Sequence, residues 1–233
     1  MAVLPSMGFV CGTYIATLTI AIGETCNPLA HALSLHAGRC KLNRMKKLLG
    51  EIRSCVVCAA FLPNQPRPII QASPKSKILI IGQAPGQKVQ NSGIPWDDAS
   101  GDELRRWLGV DKDQFYDSSS FALMPMGFCY PGKGTAGDLP PRPECAPLWH
   151  GRLLSAMKSV QLTLLIGKYA QQYYLGKDFQ PSITENVRAF QKFAPDFLPL
   201  VHPSPRNRIW QKKNPWFERD VIPFVQQRVG ELL

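Results

Sequence analysis

The pattern of apolar and polar positions is clearest at residues 77–82, where Ile78, Leu79, Ile80 and Ile81 run without a polar break between Lys77 and Gly82. A short β-branched run closed by glycine reads as a strand buried on both faces of a covered sheet. Residues 121–126, 161–166 and 197–201 read as three more strands, and helices are expected at 102–108, 143–160, 168–175 and 215–232. Strands alternating with helices at these intervals predict an α/β layer fold around a mostly parallel sheet. In such sheets ligands sit beyond the carboxyl ends of the strands. Two tight loops fall there: Gly82-Gln83-Ala84-Pro85-Gly86 after the first strand and His202-Pro203-Ser204-Pro205-Arg206-Asn207 after the last.

Residues 1–44 show neither period and hold only three Lys/Arg and one acid. They are expected to be a poorly ordered N-terminal extension, with the domain proper spanning 45–233 and opening on a short amphipathic stretch at 45–53. The one long apolar stretch, 8–22, falls short of the roughly 20 residues a membrane span needs, and no Lys or Arg precedes it. The expectation is a soluble, cytoplasmic protein with no membrane partner.

Composition narrows the class. A chain of 233 residues, 45% hydrophobic and 19% charged, buries one substantial core, which excludes fibrous and wholly disordered readings. Lys+Arg exceed Asp+Glu by 27 to 17, a net of +10 that resides almost entirely beyond residue 44 and favours polyanionic partners.

Seven cysteines are an odd count in a chain long enough to dispense with disulfides. Cys55 and Cys58 form a C-x2-C pair, and Cys129 and Cys145 a second pair with fifteen residues between them. Four thiolates suit a tetrahedral zinc or a 4Fe-4S cluster, and spacing cannot choose between them. Free cysteines are also common as small buried hydrophobes. The run Gly127 to Gly134 nearly spells a phosphate-binding loop, but Gly134 stands where a Ser or Thr should follow Lys133. Pro140 and Pro141 then interrupt the helix that should face the phosphate, so nucleotide hydrolysis is excluded.

Taken together, the two loops and the cysteines resemble the uracil-DNA glycosylase superfamily, most closely its iron-sulfur branch. That branch combines a Gly-Glu-Ala-Pro-Gly loop with a His-Pro-Ser loop and holds a 4Fe-4S cluster by C-x2-C, a gap of about seventy residues, and a second spaced pair. Here 70 residues separate Cys58 from Cys129, and the elements come in the same order. The resemblance implies a central four-stranded parallel sheet flanked by helices in one three-layer domain, and a cluster on Cys55, Cys58, Cys129 and Cys145, with zinc the alternative. It implies that His202 stabilises the anion developing on a departing base, since a fixed donor at the base oxygen lowers the barrier. It places Gln83 on the water, Trp96 as the aromatic face against a flipped base, and Ala84, Pro85, Gly86 and Pro125 around that base. Ser204, Pro205, Arg206, Arg208 and Lys212 would contact DNA, with Pro205 and Arg206 pressed in at the lesion. Trp210 and Trp216, interleaved with the cations, suit stacking on bases.

Two positions depart from the branch. Gln83 replaces its Glu, and an amide cannot serve as a general base. Asp97 and Asp98, next to Trp96, are candidates for the missing carboxylate. Pro125 stands where the base-reading Asn is expected and offers only a carbonyl acceptor. The expectation is a monomeric DNA-repair glycosylase acting on a damaged base, foremost uracil, in single- or double-stranded DNA; the alternative is a weak or inactive nucleic-acid-binding member of the same fold.

Overall fold

Successive residues of the 78–81 strand serve two different cores. Ile78 and Ile80 join Leu104, Trp107, Phe121 and Phe217 on one side of the sheet. Leu79 and Ile81 join Met45, Ile52, Met124 and Leu153 on the other. Side chains alternate across a strand, so an unbroken apolar run is what a sheet covered on both faces requires. All four residues are fully buried.

The computed structural model describes residues 28–135 and 137–233, and over residues 28–40 only the backbone, apart from Gly38. The elements are α1 (Pro28–Arg53), β1 (Ile78–Ile81), α2 (Gln87–Ser92), α3 (Ala99–Leu108), α4 (Lys112–Tyr116), β2 (Phe121–Leu123), β3 (Lys133–Gly134), β4 (Gly137–Asp138), α5 (Cys145–Ala156), β5 (Leu162–Ile166), α6 (Lys168–Leu175), α7 (Ile183–Arg188), β6 (Phe197–Leu200), α8 (Arg208–Lys213) and α9 (Ile222–Gly230). The apolar stretch 8–22 lies outside the described residues, as does the extension as far as residue 27. The domain boundary expected after residue 44 falls within α1, whose buried face is Met45, Leu48, Leu49 and Ile52. No helix among the described residues is long and apolar enough to cross a membrane.

Strands β1, β2, β5 and β6 form one parallel sheet in the order β2-β1-β5-β6, with Ile80 paired to both Leu123 and Leu164. This is the four-stranded, helix-flanked α/β sheet anticipated. The chain leaves β1 toward β2 on one side and later returns to β5 on the other, so the carboxyl ends of β1 and β5 flank a topological switch point. A crevice opens at such a point because the loops diverge to opposite faces.

Helix boundaries moved for local reasons. Helix α3 starts three residues before the expected Asp102, because the Asp98 side chain accepts the Gly101 N–H and caps it earlier. The helix expected over 215–232 divides into a π turn at Phe217–Val221 followed by α9. Pro223 lies at the start of α9 and has no N–H to continue the α-helical ladder from the preceding turn.

Candidate functional site

The first loop is laid down by the sheet itself. Gly82 and Gln83 accept at their carbonyls from Met126 N–H (2.8 Å) and Gly127 N–H (3.0 Å), which ties the segment after β1 to the one after β2. Trp96 then folds across it with φ of 58°, a left-handed conformation that bulky residues rarely adopt. Two glycines make room. A Cβ on Gly82 would lie 2.8 Å from Cζ2 of the indole, and one on Gly101 would lie 1.7 Å from the Trp96 carbonyl oxygen. The Trp96 and His202 rings contact each other with centroids 5.7 Å apart at 31°.

The second loop is fixed from within. Asn207 Nδ2 donates to the His202 carbonyl at 2.6 Å, and the Ser204 hydroxyl accepts from the Arg206 N–H at 3.3 Å, the compact turn expected of Ser before Pro. His202 is partly buried. Burial pushes its pKa below the ordinary value, opposed by the charges of Asp98 and then Asp138. A neutral imidazole follows at neutral pH, which can present one N–H and one lone pair.

One cavity of about 420 Å³ opens between these loops, within the range of small-molecule sites. Gln83, Ala84, Pro85, Gly86, Trp96, Pro125, His202, Ser204 and Arg206 all line it. Asp98 also lines it, whereas Asp97 turns toward Lys112 at 4.0 Å. Pro205 and Arg208 lie on an adjoining surface groove, and Lys212 is exposed away from the cavity wall. Trp210 and Trp216 turn inward. Both pack against the core, and their indole N–H groups donate to Thr184 and Asn214, so the cations of this segment face out and the two indoles do not offer a free stacking surface.

Three features of the site escaped the sequence. Asp138 reaches the cavity from the β3–β4 hairpin, a two-residue ladder too short to leave a periodic signal. Pro125 turns its carbonyl away to His150, whose Nε2 lies 3.1 Å from it while Nδ1 lies 2.7 Å from the Tyr174 hydroxyl. His150 is fully buried on α5, stacked between Phe128 and Tyr174, and burial pushes its pKa down to about 4. The neutral ring donates from Nε2 to Pro125 and accepts the Tyr174 proton at Nδ1.

The four cysteines come together from α1's end, the segment after β2 and the start of α5. Cys55, Cys58, Cys129 and Cys145 line one small cavity walled by Leu62, Pro66, Pro68, Phe128 and Trp149. The Phe128 N–H donates to the Cys145 sulfur at 3.4 Å, and the Cys58 thiol donates to Glu144 at 3.8 Å. Burial pushes the Cys129 thiol up to about 11 and Cys145 up to about 12. Among the described residues no group of three or more His, Cys, Asp or Glu side chains is placed to hold a metal ion. The four sulfurs share one small, mostly apolar cavity, and one of them already receives a backbone N–H; thiolates are the donors that zinc and iron–sulfur groups take.

A family model described as the uracil DNA glycosylase superfamily matches residues 70–226, a stretch that contains the sheet, both loops and, apart from Ile69, the lining of the cavity they enclose. The match takes in well over half of the chain, and the chain belongs to the uracil DNA glycosylase superfamily.

Proposed function

We propose that the protein is a DNA-repair glycosylase that hydrolyses the N-glycosidic bond of a flipped, damaged base, with uracil in DNA as the lesion. Superfamily membership supports a glycosylase-type function in general and DNA as the partner. The observation that carries the finer reading is the convergence of Gln83, Trp96, His202 and Arg206 on one cavity at the switch point of the sheet.

Cleavage builds negative charge on the base and positive charge on the sugar. His202, neutral and held by its loop, donates an N–H to the base oxygen and stabilises that anion without a proton having to move first. The Trp96 and His202 rings touch, leaving no slot between them, so the base stacks on the open face of Trp96 and meets His202 at its edge. Gln83 spends its Nε2 on the Leu139 carbonyl at 3.1 Å and keeps its amide oxygen for a water. Ser204 and Arg206 extend the rim toward the phosphate backbone, and Pro205, Arg208 and Lys212 continue the contact outside the cavity.

A 4Fe-4S cluster on Cys55, Cys58, Cys129 and Cys145 belongs to the same proposal. Its role is structural: when bound it joins the end of α1 to the chain on either side of the hairpin, close to the surface DNA would meet. That region is also tied without it by Arg142, which bonds Glu144 at 2.6 Å and lies 4.3 Å over the Phe61 ring. A second reading, a catalytically weak or inactive nucleic-acid-binding member, is favoured by Gln83 in place of a carboxylate and by Pro125, whose carbonyl is committed to His150.

The deciding experiment is excision of deoxyuridine from a labelled single-stranded oligonucleotide by wild type and His202→Ala, scored as strand breaks after alkali. A single strand removes the cost of unpairing. Cleavage by wild type and not by the variant supports the enzyme. Failure of both at high enzyme excess removes uracil as the substrate and moves the binding reading to the front.

A further inference from the structure

Hydrolysis of a glycosidic bond needs water at C1′ and a group to take its proton, and the Gln83 amide accepts none. Two carboxylates line the cavity among the described residues, Asp98 and Asp138. They are held for different purposes. Asp98 caps α3, with one oxygen on the Gly101 N–H at 2.9 Å, and its charge, like that of Asp138, opposes the effect of burial on His202.

Asp138 lies at the cavity mouth, exposed, on the β3–β4 hairpin. Its Oδ2 sits 3.5 Å from the place a Cβ on Gly86 would occupy, so the carboxylate overhangs the 82–86 loop. The hairpin is pinned there. Gln83 Nε2 donates to the carbonyl of Leu139, the very next residue, at 3.1 Å. On the other side Arg206 packs so closely on Gly137 that a Cβ there would lie 2.6 Å from Nη1. The buried Tyr130 is a neighbour: burial first, and then the charge of the Asp138 carboxylate, push its phenol above the ordinary pKa. Gln83 thus binds the hairpin to the loop, and the hairpin brings a carboxylate to the ground that position 83 cannot serve itself.

We propose that Asp138 is a catalytic residue of this site, the carboxylate that takes the proton of the hydrolytic water; the inference rests on the glycosylase reading. As the bond between C1′ and the base nitrogen breaks, its electron pair leaves with the base, whose anion His202 stabilises. The water oxygen bonds to C1′ and its proton passes to Asp138. Asp138 then returns that proton to solvent or to the departed base, leaving an abasic sugar with a hydroxyl at C1′ and a free base. The negative carboxylate also opposes the positive charge that develops on the sugar.

The test is single-turnover release of uracil from single-stranded DNA by wild type, D138N, D138E, D138A and the double variant Q83E/D138N, with oligonucleotide affinity measured alongside. D138N is exposed and nearly isosteric, so retained affinity reports retained folding. The expected loss in D138N is about 100-fold, the lower end of what a positioned base supplies. D138E and Q83E/D138N recover part of it by returning a carboxylate to the same ground, and added formate partly rescues D138A. A D138N rate within about threefold of wild type, which is less than 1 kcal/mol of barrier, overturns the inference and leaves the glycosylase reading standing. A wild type that releases no base from uracil, hypoxanthine or xanthine substrates overturns both.

Discussion

Trp96 lies over Gly82 so closely that its indole occupies the space a side chain at position 82 would need, 2.8 Å from that absent Cβ. The strained backbone of Trp96, with φ of 58°, and the bare backbone of Gly82 are two halves of one arrangement. Neither has a reason without the other. Together they hold the aromatic face against His202 at the end of the sheet.

Gly82→Ala is therefore expected to push the indole outward, costing about 1–3 kcal/mol of stability, the usual penalty of overpacking. Base release should fall with it, since the stacking face and the His202 contact move together. Trp96→Phe removes the benzo ring that carries Cζ2, so the double variant should regain most of the lost stability. Chemical denaturation of the two single variants and the double variant closes the cycle, and an additive result would show that the two residues do not meet as described.

His150 makes a pH-dependent contribution to stability. In the folded chain burial holds the imidazole neutral, with its pKa down at about 4, while the unfolded chain takes up a proton near 6.5. Between these values the unfolded state binds more protons, so stability is full above pH 6.5 and drains away as pH falls toward 4. The whole shift corresponds to about 3 kcal/mol for this fully buried ring. His202 is shifted the same way, so its share of stability is also lost as pH falls below 6.5. Glu103 and Glu144, whose guanidinium partners hold them below 4.5, give up their share only in more acidic solution. His150→Phe should flatten the stability profile between pH 6.5 and 4 while lowering the neutral-pH plateau, because the Tyr174 hydroxyl loses its acceptor. Denaturant midpoints of both proteins across that range measure it.

How far the sequence revealed the molecule follows from the range over which each signal acts. The four strands were legible because a two-faced sheet demands continuous apolar runs, and Ile78 to Ile81 supply one unaided. The two loops were legible as Gly- and Pro-bearing turns at strand ends. Asp138 was not, since a two-residue hairpin has no period and its approach to Gly86 is set by folding rather than by spacing. The hydrogen bond from His150 to Pro125 spans twenty-five positions, and its cause is the packing of α5 on the sheet. Trp210 and Trp216 misled for the complementary reason. Their alternation with cations suggests a stacking surface, but the aromatic edges find the core, where Trp210 meets Phe217 at 5.5 Å.

The cysteines give a prediction that separates iron from zinc. Protein purified without oxygen is expected to be brown, with the visible absorption of an iron–sulfur cluster, whereas a zinc form is colourless because the ion is d10. Cys145→Ser should lose the colour. The Arg142–Glu144 pair and Phe61 hold the neighbouring chain independently of any metal, so the secondary structure should survive while melting occurs at lower temperature. Colour and iron content unchanged in that variant would remove Cys145 from the ligand set.

Salt dependence distinguishes the outer cations from the groups inside the cavity. Arg208 and Lys212 are exposed on α8 beside the loop that bears His202, and neither lines the cavity. A cation that neutralises a phosphate releases a counterion, so removing it lowers affinity evenly across sequences and reduces the slope of log K against log salt by about one. Arg208→Ala and Lys212→Ala are each expected to show that reduction, with the rate of base release at saturating enzyme unaltered, because neither side chain reaches the cavity where the bond breaks. His202→Ala should do the reverse, leaving the salt slope in place and abolishing release. Arg208 has a nearby rival in Glu103, whose carboxyl it helps to hold below the usual range. Its effect should therefore be the smaller of the two cations at low salt, since part of its charge is already compensated before DNA arrives. Equal slopes for wild type and Lys212→Ala would place the phosphate track elsewhere on the surface.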